Sequence, residues 1–271
     1  MTTQQVLQDE ITDKLLVRRT GHSAEIVFNN PDRHNAMSLD MWQGLSRALE
    51  VLGSDDDVRS IVLTGAGSRA FISGANISQF DKLRSSSADV HAYEEISEGA
   101  QMALYRFPKP TIAKIRGYCL GGGMGIALCC DIRISAHSGV FGIPAGRLGL
   151  GYRLSAMSNL VRAAGSATAL DIFLSARKFS AVEALERGLV HYSIEETELD
   201  SFVQAYVDQV NANAPLTLRL GKEMIRALDV MPASIDQEAM ARKVRECYQS
   251  DDYKEGKAAF KEKRPPEFMG Q

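Results

Sequence analysis

Residues 119–131 read CLGGGMGIALCCD: three consecutive glycines, then a fourth at Gly125, within a segment otherwise apolar enough to be buried. Glycine has no Cβ to hold a neighbour off, so the run predicts a backbone that something approaches closely. It leads from the strand-like TIAKIRGY (111–118) into a short helix through Cys130. The first turn of a helix carries unpaired N–H donors at the positive end of its dipole. A second loop of small residues, GAGSRAFISGANIS (65–78), follows VRSIVLTG (58–65), whose length and β-branched content predict a buried strand. One N–H from each loop would make an oxyanion hole, which stabilises negative charge developing on a carbonyl oxygen. Close helix–strand packing accounts for the same glycines without chemistry.

Outward from these loops the pattern alternates. KLLVRR (14–19) and AEIVFNN (24–30) read as strands joined by a TGHS turn. Ser38 can cap a helix from Leu39 to about Leu52, with Met41, Leu45, Leu49 and Leu52 on one face. A helix is expected from about Ala88 to Phe107, turning Tyr93, Ile96, Ala100, Ala103 and Leu104 inward and stopped by PKP. After PAGRLGLGYRL the chain reads as helices at about 155–164, 166–174 and 180–187, a short LVHYSI strand, then helices from about 197, 215, 234 and 251. The expected fold class is α/β, with a core over residues 1–195 and a helical C-terminal region over 196–271. Such a region serves either as an assembly surface or as the completion of one core.

At 271 residues, 45% hydrophobic and 24% charged, the sequence is that of a globular protein able to bury a full core. A formal net charge of -3 gives no basic footprint for nucleic acid or anionic membranes. No apolar run approaches the roughly 20 residues of a membrane span, and the polar first residues show neither secretory nor transit pattern. A cytoplasmic location is expected. Cys119, Cys129, Cys130 and Cys247 lack metal-site spacing and read as buried thiols, so no metal is expected. GAGSRA after SIVLT formally fits a dinucleotide fingerprint, which would require a helix beginning near Gly67 and an acidic strand end about 20 residues on. The sequence continues instead as a loop, and offers neither a phosphate loop of the GxxxxGK[ST] type nor a GxSxG elbow.

Six ordered segments resemble the crotonase (enoyl-CoA hydratase/isomerase) superfamily over nearly the whole length: NPDRHNAMS, VRSIVLTGAGSRAFISGANIS, FPKPTIAKIRGYCLGGGMGIALCCDIRIS, VFGIPAGRLGL, ARKFSAVEALERGLV and DDYKEGKAAFKEKRPPEF. The resemblance implies a spiral of ββα units with a helical trimerisation region, a homotrimer or dimer of trimers, and an acyl-CoA thioester as substrate. No separate cofactor is implied, since CoA is part of the substrate. It places the oxyanion donors on the N–H groups of Ala75 and Gly122. It assigns CoA binding to Arg33, His34 and Ala36, to Ser73, Ala75, Asn76 and Ile77, and, toward a neighbouring subunit, to Phe260 and Lys263.

Hydratases of this superfamily hold a water between two glutamates, and here Gly125 and Ala145 stand at those positions. Adding water needs a base and an acid, and neither residue can be one. LGLGY (148–152) is similar to a loop of methylmalonyl-CoA decarboxylase-like members, which makes Tyr152 a candidate to orient a leaving carboxylate or protonate an enolate, and Arg153 or Arg147 a candidate to bind that carboxylate. That branch keeps the first glutamate and has a histidine where Ala75 stands. Packing over the acyl pocket is the alternative role for Tyr152. Glu94, Glu95 and Glu98 are expected on a solvated helix face, and no histidine is assigned a catalytic role. The implied chemistry is an oxyanion-stabilised enolate formed by decarboxylation or C–C cleavage, with a silent acyl-CoA-binding protein or a weak hydratase as alternatives.

Overall fold

The computed structural model describes residues 11–75, 87–148, 151–228 and 249–271, together with 239, 242 and 246. Strands β1 (Leu15–Thr20) and β2 (Ser23–Phe28) form an antiparallel hairpin, and alternation along β1 turns Leu15 and Val17 inward. Helix α1 (Leu39–Ser54) follows, burying Met41, Leu45, Leu49 and Leu52 at the spacing of one helix face. Strand β3 (Ser60–Gly65), buried on both sides, pairs in parallel with β2 and with β5 (Thr111–Ile115). Then β7 (Ile132–Ala136) and β10 (Tyr192–Ile194) complete a six-stranded sheet of order β1-β2-β3-β5-β7-β10.

A second sheet holds the short strands. Its order is β4-β6-β8-β9, from β4 (Ala70–Ile72), β6 (Tyr118–Leu120), β8 (Val140–Gly142) and β9 (Phe179–Ser180). TIAKIRGY, which reads as one strand, is therefore shared between two. The chain turns at Gly117, whose φ of 58° is left-handed and where a Cβ would lie 2.1 Å from the Arg69 carbonyl oxygen. That turn carries the chain from the large sheet to the small one, directly below the glycine run.

Between the sheets and the helices lies one main core. It gathers α1, α2 (Ser87–Tyr105), α3 (Gly122–Cys129) and α4 (Leu154–Ser175) around residues such as Trp42, Phe71, Leu104 and Ile126. Helix α4 runs through the expected break: Gly165 has φ 74° and ψ 161°, so the two helices read from sequence are one element kinked at that glycine. Helix α5 (Ala181–Glu186) starts with a reciprocal capping box between Ser180 and Glu183. Helix α6 (Leu199–Asn211) lays Leu199, Val203 and Val207 on the other face of the large sheet, against Val62, Ile112 and Ile134. Although strands end at Ile194, this first helix of the C-terminal region is thus part of the sheet's own core. Helices α7 (Pro215–Leu228) and α8 (Asp251–Glu262) complete the described chain. The helix expected from about residue 234, and Cys247, lie outside the described residues. Among the described residues no helix is long and apolar enough to cross a membrane.

Candidate active site

Each glycine of the triplet has its own task. Gly121 caps α3 with φ 51° and ψ -112°, and its N–H donates to the Gly142 carbonyl. Gly123 passes so close to β4 that a Cβ there would lie 2.3 Å from the Ile72 carbonyl oxygen. Gly122 opens the helix, so its N–H has no acceptor within α3. The position a Cβ on Gly122 would take lies 4.0 Å from the backbone nitrogen of Ala75 and 3.6 Å from Cζ2 of Trp42. Ala75 bridges to Met37 in parallel, but in that pairing Met37 N–H donates to Gly74. Ala75 N–H donates to no backbone acceptor among the described residues. The structure thus brings together the two N–H groups expected from sequence, beside a buried tryptophan whose Nε1 donates to Tyr93 Oη at 3.0 Å. Two fixed donors with water displaced by an indole can hold an oxygen anion at no cost of reorganisation.

The loop at 65–75 contains bends and the short strand β4, and no helix begins near Gly67. A dinucleotide fold would need one there, so the G-x-G-x-x-A match is accidental. The loop is instead held by a residue that sequence reading passed over. Buried Asn35 donates to the carbonyls of Ala66 and Ala70, at 3.0 and 2.7 Å, and accepts from Asn30 N–H. His34 and Asn35 both adopt left-handed φ, 50° and 54°, which lets the turn close. Only the NN…N spacing hinted at this role. Ser73 N–H donates to His34 carbonyl, so the segments carrying Arg33, His34, Ala36, Ser73 and Ala75 form one surface. Arg33 is exposed, His34 half-buried against Tyr118, and Ala36 buried. Asn76 and Ile77 lie outside the described residues, as does the side chain of Phe260. Lys263 is exposed, and no hydrogen bond or ion pair among the described residues joins it to this surface.

Gly125 lies one turn along α3 from Gly122. A Cβ there would sit 2.6 Å from Oε1 of Gln101 on α2, so a glutamine from another helix occupies the volume that a side chain at this position would take. Ala145 is 3% exposed and packed in the core. No carboxylate comes from either position. Tyr152 is half-buried, edge-on to Phe173 at 5.8 Å. Burial, with a smaller contribution from the Cys119 thiol, pushes its phenol up to about 12. The tyrosine is therefore protonated at neutral pH and a weaker acid than a solvated phenol.

Arg153, a candidate to bind a substrate carboxylate, pairs with carboxylates of its own chain, Glu94 at 3.1 Å and Glu98. Ser155 donates to Glu98 at 2.7 Å. Glu94 and Glu98 thus stay partly exposed, as expected, but are paired with Arg153, while Glu95 is exposed. Their spacing of four residues puts both on one side of α2, which the segment after Leu150 then meets with a single cation. Arg147, the other candidate, is exposed on a 3₁₀ turn. The cysteines 119, 129 and 130 are buried with their thiols pushed up by desolvation, hence inert.

Fold and loops together define a crotonase-type α/β protein. The enoyl-CoA hydratase/isomerase family model matches residues 19–271, and the chain belongs to that family. It is similar to the short-chain-enoyl-CoA hydratase of Clostridium acetobutylicum, with 29% identity over 93% of this chain and 96% of the relative. The mouse mitochondrial enoyl-CoA hydratase domain-containing protein 2 is 32% identical over 91% of this chain and 84% of its own. Among solved structures, an enoyl-CoA hydratase/carnithine racemase of Magnetospirillum magneticum superposes with a TM-score of 0.90 at 38% identity, covering 96% and 97% of the two chains.

Proposed function

We propose that the protein forms the enolate of an acyl-CoA thioester by breaking a carbon–carbon bond at the α-carbon, by C–C cleavage or decarboxylation, and does not add water. The observation that carries this is the Gln101 amide over Gly125. It takes the space of a side chain at one of the two positions where a hydratase would carry a glutamate, and buried Ala145 stands at the other. An amide and a methyl transfer no proton, whereas loss of CO₂ from a carboxylate needs no base, and cleavage of a 3-hydroxyacyl group needs its hydroxyl proton to be passed on as the bond breaks. The electron pair of the broken bond enters the thioester, its oxygen gains the charge, and the N–H groups of Ala75 and Gly122 stabilise it. The phenol of Tyr152 gives a proton to the α-carbon and recovers one from the departing fragment's hydroxyl, or from solvent when the fragment is CO₂. Between the two cleavages the charge of the pocket favours an uncharged acyl group over a carboxylate-bearing one, because Arg153 is already matched by Glu94 and Glu98.

The CoA moiety is held by the surface around Arg33, His34, Ala36 and Ser73, extended through Ala75, Asn76 and Ile77, with Phe260 and Lys263 serving a neighbouring subunit. A homotrimer or dimer of trimers is supported by α7, which buries no residue within its own chain. Ile225 and Leu228 on α7, and Leu170 and Leu174 on α4, are more than half exposed, apolar surface of the kind that marks an interface. Sedimentation as a monomer would overturn this assembly. The reaction is tested by incubating the protein with a panel of acyl-CoAs and reading products by mass spectrometry. Shortened thioesters are expected. Hydrated enoyl-CoA as the main product would overturn the reading, and binding without any product would make the chain a silent acyl-CoA binder.

A further inference from the structure

Between the oxyanion pair and the Arg153 cluster lies one polar group that the proposed reaction does not use as a reactant, the side chain of Gln101. We infer that Gln101 reads the acyl group beside the thioester, and selects one bearing a neutral hydrogen-bonding oxygen, a hydroxyl or ketone, on the carbon beyond the α-carbon. The inference rests on the acyl-CoA reading above.

Position carries the first part. Gly122 and Gly125 are three residues apart on α3, and side chains so spaced have their Cβ atoms about 5–6 Å apart. Since Gln101 Oε1 lies 2.6 Å from the Cβ position of Gly125, its amide sits a few bonds from an oxygen held by Gly122. Glycine at 125 is what admits it, as any side chain there would meet the amide. Gln101 is half-buried, and among the described residues its Nε2 donates only to Ser97 carbonyl, at a long 3.3 Å. Oε1 receives no donor among the described residues. An amide with unspent donor and acceptor capacity serves a hydroxyl or a carbonyl equally. It moves no proton.

Charge carries the second part. Glu98 and Glu94 precede Gln101 by three and seven residues and share its side of α2, with Arg153 as their common cation. Two carboxylates against one guanidinium leave an excess negative charge there, which opposes an anionic acyl group and leaves a neutral oxygen unopposed.

Calorimetric titration of the full chain with butyryl-CoA, 3-hydroxybutyryl-CoA and malonyl-CoA tests this. The protein should bind the 3-hydroxy thioester about five- to tenfold more tightly than butyryl-CoA, the worth of one net hydrogen bond, and malonyl-CoA most weakly. In Gln101→Leu the ratio of the first two dissociation constants should fall to about one. Gly125→Ala, whose methyl takes the amide's place, should give the same collapse from the opposite side, so the test survives if one variant does not fold. Equal affinities in the unaltered protein, a preference surviving either folded variant, or a preference for malonyl-CoA would overturn the inference. Failure to bind even butyryl-CoA would overturn the acyl-CoA reading itself.

Discussion

Replacing Gly122 with proline would remove the N–H assigned to the oxyanion and put the ring Cδ in its place. Gly122 is the first residue of α3, the one helix position where proline is favoured, because its φ suits the turn and its N–H has no helical partner to lose. The new Cβ would lie 3.6 Å from Trp42 and 4.0 Å from Ala75 nitrogen, ordinary contacts that require no repacking. Losing such a donor costs about 2.7–4 kcal/mol of charge stabilisation. Expressed as acidity, at about 1.36 kcal/mol per unit, that is about 2–3 pKa units on a bound thioester. Acetoacetyl-CoA is a suitable probe, since its enolate absorbs in the ultraviolet and solvent can serve as base. Titrated on the protein, its pKa should fall below that of the free thioester, and in Gly122→Pro it should return upward by about 2–3 units. An unchanged pKa in the folded variant would refute the assignment of Gly122.

Other expectations follow from single contacts. Gly65→Ala would put a Cβ 2.2 Å from Ala70 carbonyl and 2.6 Å from the Asn35 amide, so it should destabilise by at least about 1–3 kcal/mol in denaturant titrations. Lys109, buried and donating to Leu52 and Asp55 carbonyls at the end of α1, has its pKa lowered by desolvation from 10.5 to about 8. The folded state then disfavours the charge, so between pH 8 and 10.5 the unfolded chain binds more protons and stability rises with pH, by on the order of 3 kcal/mol. Lys109→Met should flatten that rise. Arg153→Met should lower stability in denaturant titrations by under about 1 kcal/mol for each partly exposed pair it breaks, and should weaken malonyl-CoA more than butyryl-CoA, since it leaves Glu94 and Glu98 without their cation.

What the sequence discloses depends on how local the cause is. The β1–β2 hairpin, α1 and β3 follow from periodicity of two or 3.6, and Gly165 marks its kink because a backbone event sits at one residue. The glycine triplet is legible for the same reason, each residue answering a local demand of φ, donor or contact. The division of TIAKIRGY between two sheets is not legible, because the pleat continues in the letters while the chain turns at Gly117. Asn35 reads as one more loop asparagine until its carbonyl partners are in place. Glu94, Glu98 and Gln101 look like the wet side of an amphipathic helix. Their partners, Arg153, Ser155 and Gly125, come from elsewhere in the chain, and no local pattern records such contacts.

The central claim is that the oxyanion pair is present while both hydratase carboxylates are absent. Incubating purified protein, free of any contaminating hydratase, with crotonyl-CoA tests it most directly, the thioester being followed by mass spectrometry for gain of one water. The account predicts that crotonyl-CoA binds and is recovered unhydrated. Turnover to 3-hydroxybutyryl-CoA at rates typical of an enzyme, about 1–1,000 per second, would contradict it.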